Sequence, residues 1–530
     1  MWPFSTIQNL RDEIRGLESK IKEKNEIISS LYDEQKELLD ALHLAESDKK
    51  AVEEMLEVAE ADKKMIKEEL EAAEADAASL KSDFDFLKDI EVTPEFLEVE
   101  RSIRNRDPLI FVHGGAGTGK STLIQWLRKK ELIHVVLAPT GLAALNVKGM
   151  TIHRAFGLRP VPVFTKDGKP KGIPKDFLKV LHNLKAKNIE TICIDEISMV
   201  RSDLLDALNQ CLEEEFKKKP FGGFQMLFVG DLFQLPPVVN DGAIRFFRPG
   251  SKDYPGDLHG WHSEWFFDSD VLTTYRRKIK KIQLTKVFRQ AGEQDFINTL
   301  NQLRKYQNCA ENASALNALL PIKPEADKNS VIIVGTIKQA DEENEKRLRM
   351  LQSLSCRYKA MKTGSFLDYK PQNLPVPDDI TLKIGEFVII VTNDGDKRYV
   401  NGTTGVITRF AENDIVYVKT EAGEFDVPKR AWVDYAVAWD DFRERFVNVE
   451  VGRYTQIPLI PGYAITCHKS QGKTIPNVFV NIQRVFAPGQ MYVALSRTRS
   501  PKDITMKRML TDADFYPDSR LSDLIKQGYL

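Results

Sequence analysis

Chemistry is densest between His113 and Thr122, in the stretch HGGAGTGKST. Gly114, four residues, then Gly119-Lys120-Ser121 fits the phosphate-loop pattern G-x-x-x-x-G-K-[ST] without a mismatch. Gly114, Gly115, Gly117 and Gly119, with Ala116 and Thr118 among them, let the backbone wrap a phosphate. That wrapping presents N–H groups at the positive end of a helix. Lys120 would neutralise the β- and γ-phosphates, and the Ser121 hydroxyl, ahead of Thr122, would ligate Mg²⁺. A glycine-rich turn that binds nothing is the bland alternative. The flanks argue against it: the apolar run Leu109–Val112 precedes the loop and TLIQWL follows, which gives strand, loop and helix in order.

Two further groups belong to the same chemistry. Asp195-Glu196 follows the apolar run TICI (191–194), and Gly230-Asp231-Leu232-Phe233-Gln234 follows FQMLFV (224–229). Beside a phosphate loop, the first carboxylate positions Mg²⁺ and the second activates water for attack on the γ-phosphate. Gln234 is placed to contact that phosphate and report its state. An acid-rich helix start is the other reading of the pair, and it is disfavoured where the pair caps a strand.

These side chains need a scaffold that brings strand ends together. LIFV (109–112), LIHVVLA (132–138), TICI and FQMLFV alternate with helical stretches. The alternation predicts an α/β fold, a parallel sheet with helices on both faces and ligands at the strand ends. Residues 159–188, with KDGKPKG, read as an inserted loop or hairpin, and 321–330 and 362–380 as polar connections. From 384 to 457 the texture changes to short strands: FVIIVT (387–392), TTGVITRF (403–410), IVYVKT (415–420) and EFDV (424–427). With Asn401-Gly402 as a turn signal, this predicts a small β-barrel inserted into a second α/β domain. VIIVG (331–335) and VFVNI (478–482) belong to that domain.

The leader is of another kind. From Ile7 to Leu87 an a/d pattern runs through twelve heptads without proline, which predicts a left-handed coiled coil. Fully helical, it would reach on the order of 120 Å. Polar Lys24, Gln35, Lys49 and Lys63 interrupt the seam, and flanking pairs such as Glu13–Glu18 repel in a parallel homodimer. Parallel, antiparallel, higher-order and heterotypic partners, self or other protein, stay open. The first 90 residues carry 13 Lys/Arg against 24 Asp/Glu, a formal −11; the remainder holds 63 against 53, a formal +10. A basic body suits a polyphosphate partner, though a solvated surface explains the count equally well. Composition, 42% hydrophobic and 29% charged, is that of a globular chain. Five scattered cysteines without a C-x-x-C pair suggest neither disulfides nor a zinc site. No apolar run reaches the ~18 residues of a membrane span, and no signal sequence opens the chain. A cytoplasmic protein is expected.

The ordered set of motifs resembles a superfamily 1B DNA helicase of the petite-integration-frequency family, akin to RecD-type and Dda-type helicases. It spans roughly 92–510: GGAGTGKST, PTGLAALN with TIHRAFG (139–157), IDEISMV, FGGFQMLFVGDLFQLPPV, LTKVFRQ (284–290), AITCHKSQGKT (464–474) and GQMYVALSR (489–497). The resemblance implies two RecA-like lobes with ATP between them and single-stranded DNA crossing both, 5′ to 3′. It implies a first lobe at 91–275 with a wedge at 159–188, and a second lobe at 276–383 and 458–530; it says nothing of the coiled-coil arm at 1–90, which lies outside the shared core. An SH3-like barrel at 384–457 interrupts the second lobe. Arg289 and Arg497 then fall where arginine fingers reach the γ-phosphate, and Gln471 and Gly472 face the nucleotide. DNA contacts fall on Pro139, Thr140, Gly141, His153 and Phe156, on Thr466, His468, Lys469 and Ser470, and on Asn401 and Gly402. Such hydroxyls, N–H groups and Lys grip phosphate without reading bases. Phe156 offers either a stacking face or a core side chain.

Two departures stand out. Phe96 occupies the position of the adenine-reading glutamine, putting base specificity in doubt and offering a base-stacking ring instead. Arg154 replaces a small hydroxyl in TIHRAFG, adding a phosphate contact. The expected function is a 5′-to-3′ DNA helicase acting on single strands and forks, in replication, repair or recombination. The alternatives are a coiled-coil scaffold with a nucleotide-switch core, and an RNA-directed helicase.

Overall fold

The computed structural model describes residues 4–44, residues 60, 63, 64, 66 and 67, and residues 90–526 apart from 160–169, 171, 238, 240–246, 248–260, 289–292, 370, 372–373, 395–397, 442–443 and 472. It divides into two units, Met1–Val92 and Thr93–Leu530.

In the first unit a helix runs Phe4–Leu44. Between residues 11 and 39 its half-covered positions are Ile14, Leu17, Ile21, Lys24, Ile28, Leu31, Gln35 and Leu38, which are the a and d positions of the heptads. The expected single rod is corrected. Lys63 Nζ donates to Gln35 Oε1 at 3.3 Å and lies 3.7 Å over the Tyr32 ring. Twenty-eight residues of straight helix would separate those groups by about 42 Å, so the chain doubles back between them. Two polar a positions that weaken a parallel seam thus satisfy each other. The reversal itself falls outside the described residues.

In the second unit, short apolar runs become buried strands. β1 (Leu109–Gly114), β2 (Val135–Ala138), β3 (Met150–Thr151), β4 (Thr191–Ile194), β5 (Gln225–Gly230) and β6 (Ile279–Leu284) form one parallel sheet in the order β3-β2-β4-β5-β1-β6. Parallel strands share an end, so 114–120, 139–141, 195–196 and 231–234 emerge at one edge. The pairing of β6 with β1 carries the first lobe past the expected boundary at 275. The insertion at 159–188 is also revised. Lys175–Ala186 is a helix whose buried residues, Phe177, Val180, Leu181 and Leu184, follow helical spacing and join the lobe's core. The remainder of that insertion, the expected wedge, lies largely outside the described residues.

The second lobe is built on β7 (Val331–Val334). β8 (Ser355–Lys359) pairs with β10 (Asp379–Lys383). β11 (Phe387–Ile390), β12 (Thr404–Ala411), β13 (Ile415–Thr420), β14 (Gly423–Val427) and β17 (Leu459–Pro461) form an antiparallel sheet. Its core takes in Tyr358, Ile380 and Leu382, so the insertion begins near Ser355 rather than at 384. A long hairpin of β15 (Arg430–Asp440) and β16 (Arg445–Gln456), flanked by β9 (Met361–Gly364), leaves that sheet. β18 (Ala464–Thr466), β19 (Val478–Asn481) and β20 (Ile504–Met506) return to β7, giving the parallel order β18-β7-β19-β20. Among the described residues, no helix is long and apolar enough to cross a membrane.

Arginine–aspartate pairs tie the lobes together. Arg520, near the C-terminus, donates from Nε and Nη2 to Asp268 of the first lobe, both at 2.6 Å. Arg154 Nη1 donates to Asp434 Oδ2 at 2.7 Å, and that oxygen also accepts from Ser365 Oγ and Tyr369 Oη. Arg154 therefore serves an ion pair with the hairpin, not the free phosphate contact that its position suggested.

Gly402 joins the inserted sheet to the second lobe. Its φ is 103°, and a Cβ there would sit 2.2 Å from the Thr474 carbonyl oxygen. Gly402→Ala is expected to destabilise the protein by about 1–3 kcal/mol or more through strain and backbone clash. Denaturant melts of the two proteins measure it, and equal midpoints would mean the junction yields.

Candidate nucleotide and strand-binding site

The phosphate loop starts where β1 ends. A Cβ on Gly114 would meet Thr118 Oγ1 at 2.5 Å, and Gly119, at φ 85°, opens the helix Lys120–Lys129. Only glycine suits both positions. Thr118 Oγ1 donates to the Gly115 carbonyl at 3.0 Å, and Lys120 Nζ donates to the Gly114 and Gly115 carbonyls at 2.9 and 2.8 Å. The lysine is folded over the loop where a phosphate oxygen would attract it. Burial lowers its pKa, opposed by the charges of Asp231, Glu196 and Asp195.

Asp195 is buried at the end of β4, and Glu196 turns away from it in the left-handed region at φ 49°. Burial, with the charge of Glu196, pushes the Asp195 carboxyl up to about 7; burial likewise raises Glu196. A buried carboxylate pair held this way suits a cation. Ser121 and Asp195 would offer hard oxygen donors of the kind Mg²⁺ takes. Among the described residues no group of three His, Cys, Asp or Glu forms a metal cage.

Gln234 does not extend freely. Its Nε2 donates to Asp231 Oδ2 at 3.0 Å, and its Oε1 accepts from Gln471 Nε2 of the second lobe at 3.4 Å. Arg497 is 1% exposed. Its Nε, Nη1 and Nη2 donate to Val493 O, Ser470 O and Ser496 Oγ, while the Glu196 charge acts on it across the cleft. Arg289 and Gly472 lie outside the described residues.

Three neighbours of the loop escaped the sequence reading. Tyr492, in GQMYVALSR, accepts from the Ala116 N–H at 3.0 Å, and Arg304 pairs with Asp231. Phe288 N donates to the Gly117 carbonyl at 2.8 Å, and its ring would lie 3.3 Å from a Cβ on Gly119. At 37% exposure Phe288 offers an aromatic face, with Lys286 Nζ 5.3 Å from its ring centre. Phe96 does not: it is 1% exposed and packed 5.7 Å from the Trp126 ring, a core residue rather than a base platform.

The strand-binding residues divide in the same way. Thr140 accepts from Ala143 N and Thr466 from Lys469 N, so each caps a short helix after a parallel strand, one in each lobe. The N–H groups beyond such caps are donors for phosphate. Pro139, Gly141 and Lys469 lie beside them, with Lys469 exposed. His153 is held at about 4 by burial and by Arg201, and burial lowers His468, so both are neutral near pH 7. Phe156 is wholly buried, edge-on to Phe177, which leaves the core reading and removes the stacking one. Ser470 is buried too and spends its hydroxyl on the Cys467 carbonyl at 2.7 Å. Asn401 N donates to Asn393 Oδ1, beside Gly402 at the junction.

Phosphate-handling groups on one parallel sheet, answered across a cleft by groups from another, make this a two-lobed P-loop nucleoside triphosphatase. Comparison narrows the class. Residues 95–246 match the model for PIF1-like helicases. A Pif1 ATP-dependent DNA helicase of Bdellovibrio bacteriovorus is 29% identical over 426 residues, covering 78% of this chain and 88% of its own. Bacteroides Pif1 in complex with ADP-AlF4 is 30% identical with a TM-score of 0.72, covering 83% of this chain and 97% of its own. The same protein bound to single-stranded DNA, at the same identity and coverage, gives 0.57. The chain belongs to the PIF1-like helicase family.

Lys120→Ala is expected to abolish hydrolysis and most nucleotide binding. Glu196→Gln should keep binding and lose about 10²–10⁴ in turnover. Fluorescent-nucleotide titration beside phosphate release separates the two, and normal turnover by the Gln variant would remove Glu196 as the base.

Proposed function

We propose that this protein is an ATP-dependent DNA helicase that moves 5′ to 3′ along single-stranded DNA and opens forks. The observation that carries the reading is the cleft itself, where Gln471, Tyr492 and Arg304 of the second lobe meet Gln234, Ala116 and Asp231 of the first. A change at the γ-phosphate is thereby felt by both lobes, and each lobe offers a capped helix start to a strand.

In the reaction, a water oxygen attacks the γ-phosphorus as Glu196 takes its proton. The bond to the β-phosphate oxygen breaks, giving ADP and inorganic phosphate. Lys120 and the loop N–H groups hold the phosphates, and Arg497, with Arg289, stabilises charge on the transferring group. Ser121 and Asp195 would hold Mg²⁺, which screens that charge when bound. Lobe closure and opening then step Thr140 and Thr466 along the backbone. The inserted sheet is read as the SH3-like barrel of the family, and the doubled-back leader as an antiparallel coiled coil. Roles in replication, repair or recombination follow from the forked substrate.

Polarity is the direct test. A duplex with a 5′ single-stranded tail should be unwound in an ATP-dependent reaction, and one with only a 3′ tail should not. Equal unwinding of both would refute the direction, and ATP turnover indifferent to single-stranded DNA would refute the translocase.

A further inference from the structure

Asp231 sits at the end of β5 with no exposed surface, and both its oxygens are committed. Oδ1 accepts from Arg304 Nε at 2.9 Å and Nη2 at 2.6 Å, and from Phe233 N at 3.2 Å. Oδ2 accepts from Gln234 Nε2. Arg304 ends the helix Gln294–Arg304 of the second lobe and is itself buried, its guanidinium 4.6 Å from the Phe233 ring centre. Its Nε would lie 3.8 Å from a Cβ on Gly115, so the pair stands against the phosphate loop.

Simple chemistry orients the glutamine. An ionised carboxylate accepts hydrogen bonds and cannot donate them, so the amide must turn its NH₂ to Asp231 and its oxygen outward. The outward oxygen is an acceptor with two lone pairs, one of them turned to Gln471 Nε2 at 3.4 Å. It suits the hydrogens of an attacking water and is unsuited to grip a phosphate oxygen directly, as the sequence alone had suggested. The arrangement persists only while Asp231 stays ionised, and Arg304 favours that: its charge and hydrogen bonds, with Lys120, hold the carboxyl below the usual range against burial.

We propose that Arg304 is a positioning residue for hydrolysis. From the second lobe it fixes Asp231, and through Asp231 it presents the Gln234 carbonyl oxygen to the attacking water. Closure of the lobes therefore completes the water site, and opening dissolves it. The inference rests on the nucleotide-hydrolysing part of the proposed function and adds a residue to it. An arginine donates two hydrogen bonds to one oxygen in a fixed plane; a lysine supplies charge without that fork.

The test uses the full chain with Arg304→Lys, Arg304→Gln, Asp231→Asn and the double variant Arg304→Gln/Asp231→Asn. Steady-state ATP hydrolysis is measured with and without single-stranded DNA, beside thermal melts. The Lys variant is expected to melt near the parent and keep KM for ATP within about twofold while kcat falls roughly 10- to 100-fold. The Gln and Asn variants should lose kcat by similar factors, and the double variant should be no worse than either, as expected for residues acting as one unit. Losses of kcat that multiply in the double variant would overturn the proposal. So would a Lys variant of normal kcat, or losses that only track the folded fraction. A parent that hydrolyses ATP but ignores DNA would sink the helicase reading and leave this test intact, because basal kcat still reports on Arg304.

Discussion

Charge held out of water governs this molecule. Lys120, Arg304 and Arg497 face Asp195, Glu196 and Asp231 in and around one cleft, three cations against three carboxylates. Each ion, taken from water alone, would cost several kcal/mol, so none is tolerable without the others. The cations Arg304 and Arg497 come from the second lobe, and the carboxylates, with Lys120, from the first, so the cluster is balanced across the cleft. The fold answers with parallel sheets whose strand ends deliver these groups to a common edge, and with arginine–aspartate ties that hold the edges together. A polyphosphate entering the cleft would add negative charge to a cluster whose formal charges cancel.

The ties beyond the cleft bear on the proposed strand path. The hairpin β15–β16 reaches the first lobe through Asp434, and Tyr369, which shares that carboxylate, would lie 3.0 Å from a Cβ on Gly141. The helix that starts at Gly141 is thus roofed by Tyr369, some 230 residues later in the chain.

What could be read from sequence was what is local. The phosphate loop, the Asp195-Glu196 pair and the strands TICI and IVYVKT each declare themselves within ten residues, because hydrophobic period, glycine and a terminal polar group suffice. The arm's reversal was hidden, since heptads repeat identically whether the helix continues or returns. The helix Lys175–Ala186 was masked by the glycine- and proline-rich residues before it. Arg304 gave no signal at all: a basic residue in the last turn of a helix ordinarily complements the dipole, and its partner is 73 residues away. Phe156 and Ser470 show the opposite limit, where a motif names a residue but packing spends it on the core.

The neutral histidines carry a further consequence. A nucleic-acid strand is sheathed in condensed counterions, and each cation that replaces one ties affinity to salt. Helix starts capped by Thr140 and Thr466 and imidazoles kept uncharged by burial offer hydrogen bonds without displacing ions, with Lys469 as the exposed cation among them. Were these the strand contacts, a track of that composition would release few counterions for each phosphate it passed. Its hold on a strand would then rest on geometry more than on ionic strength.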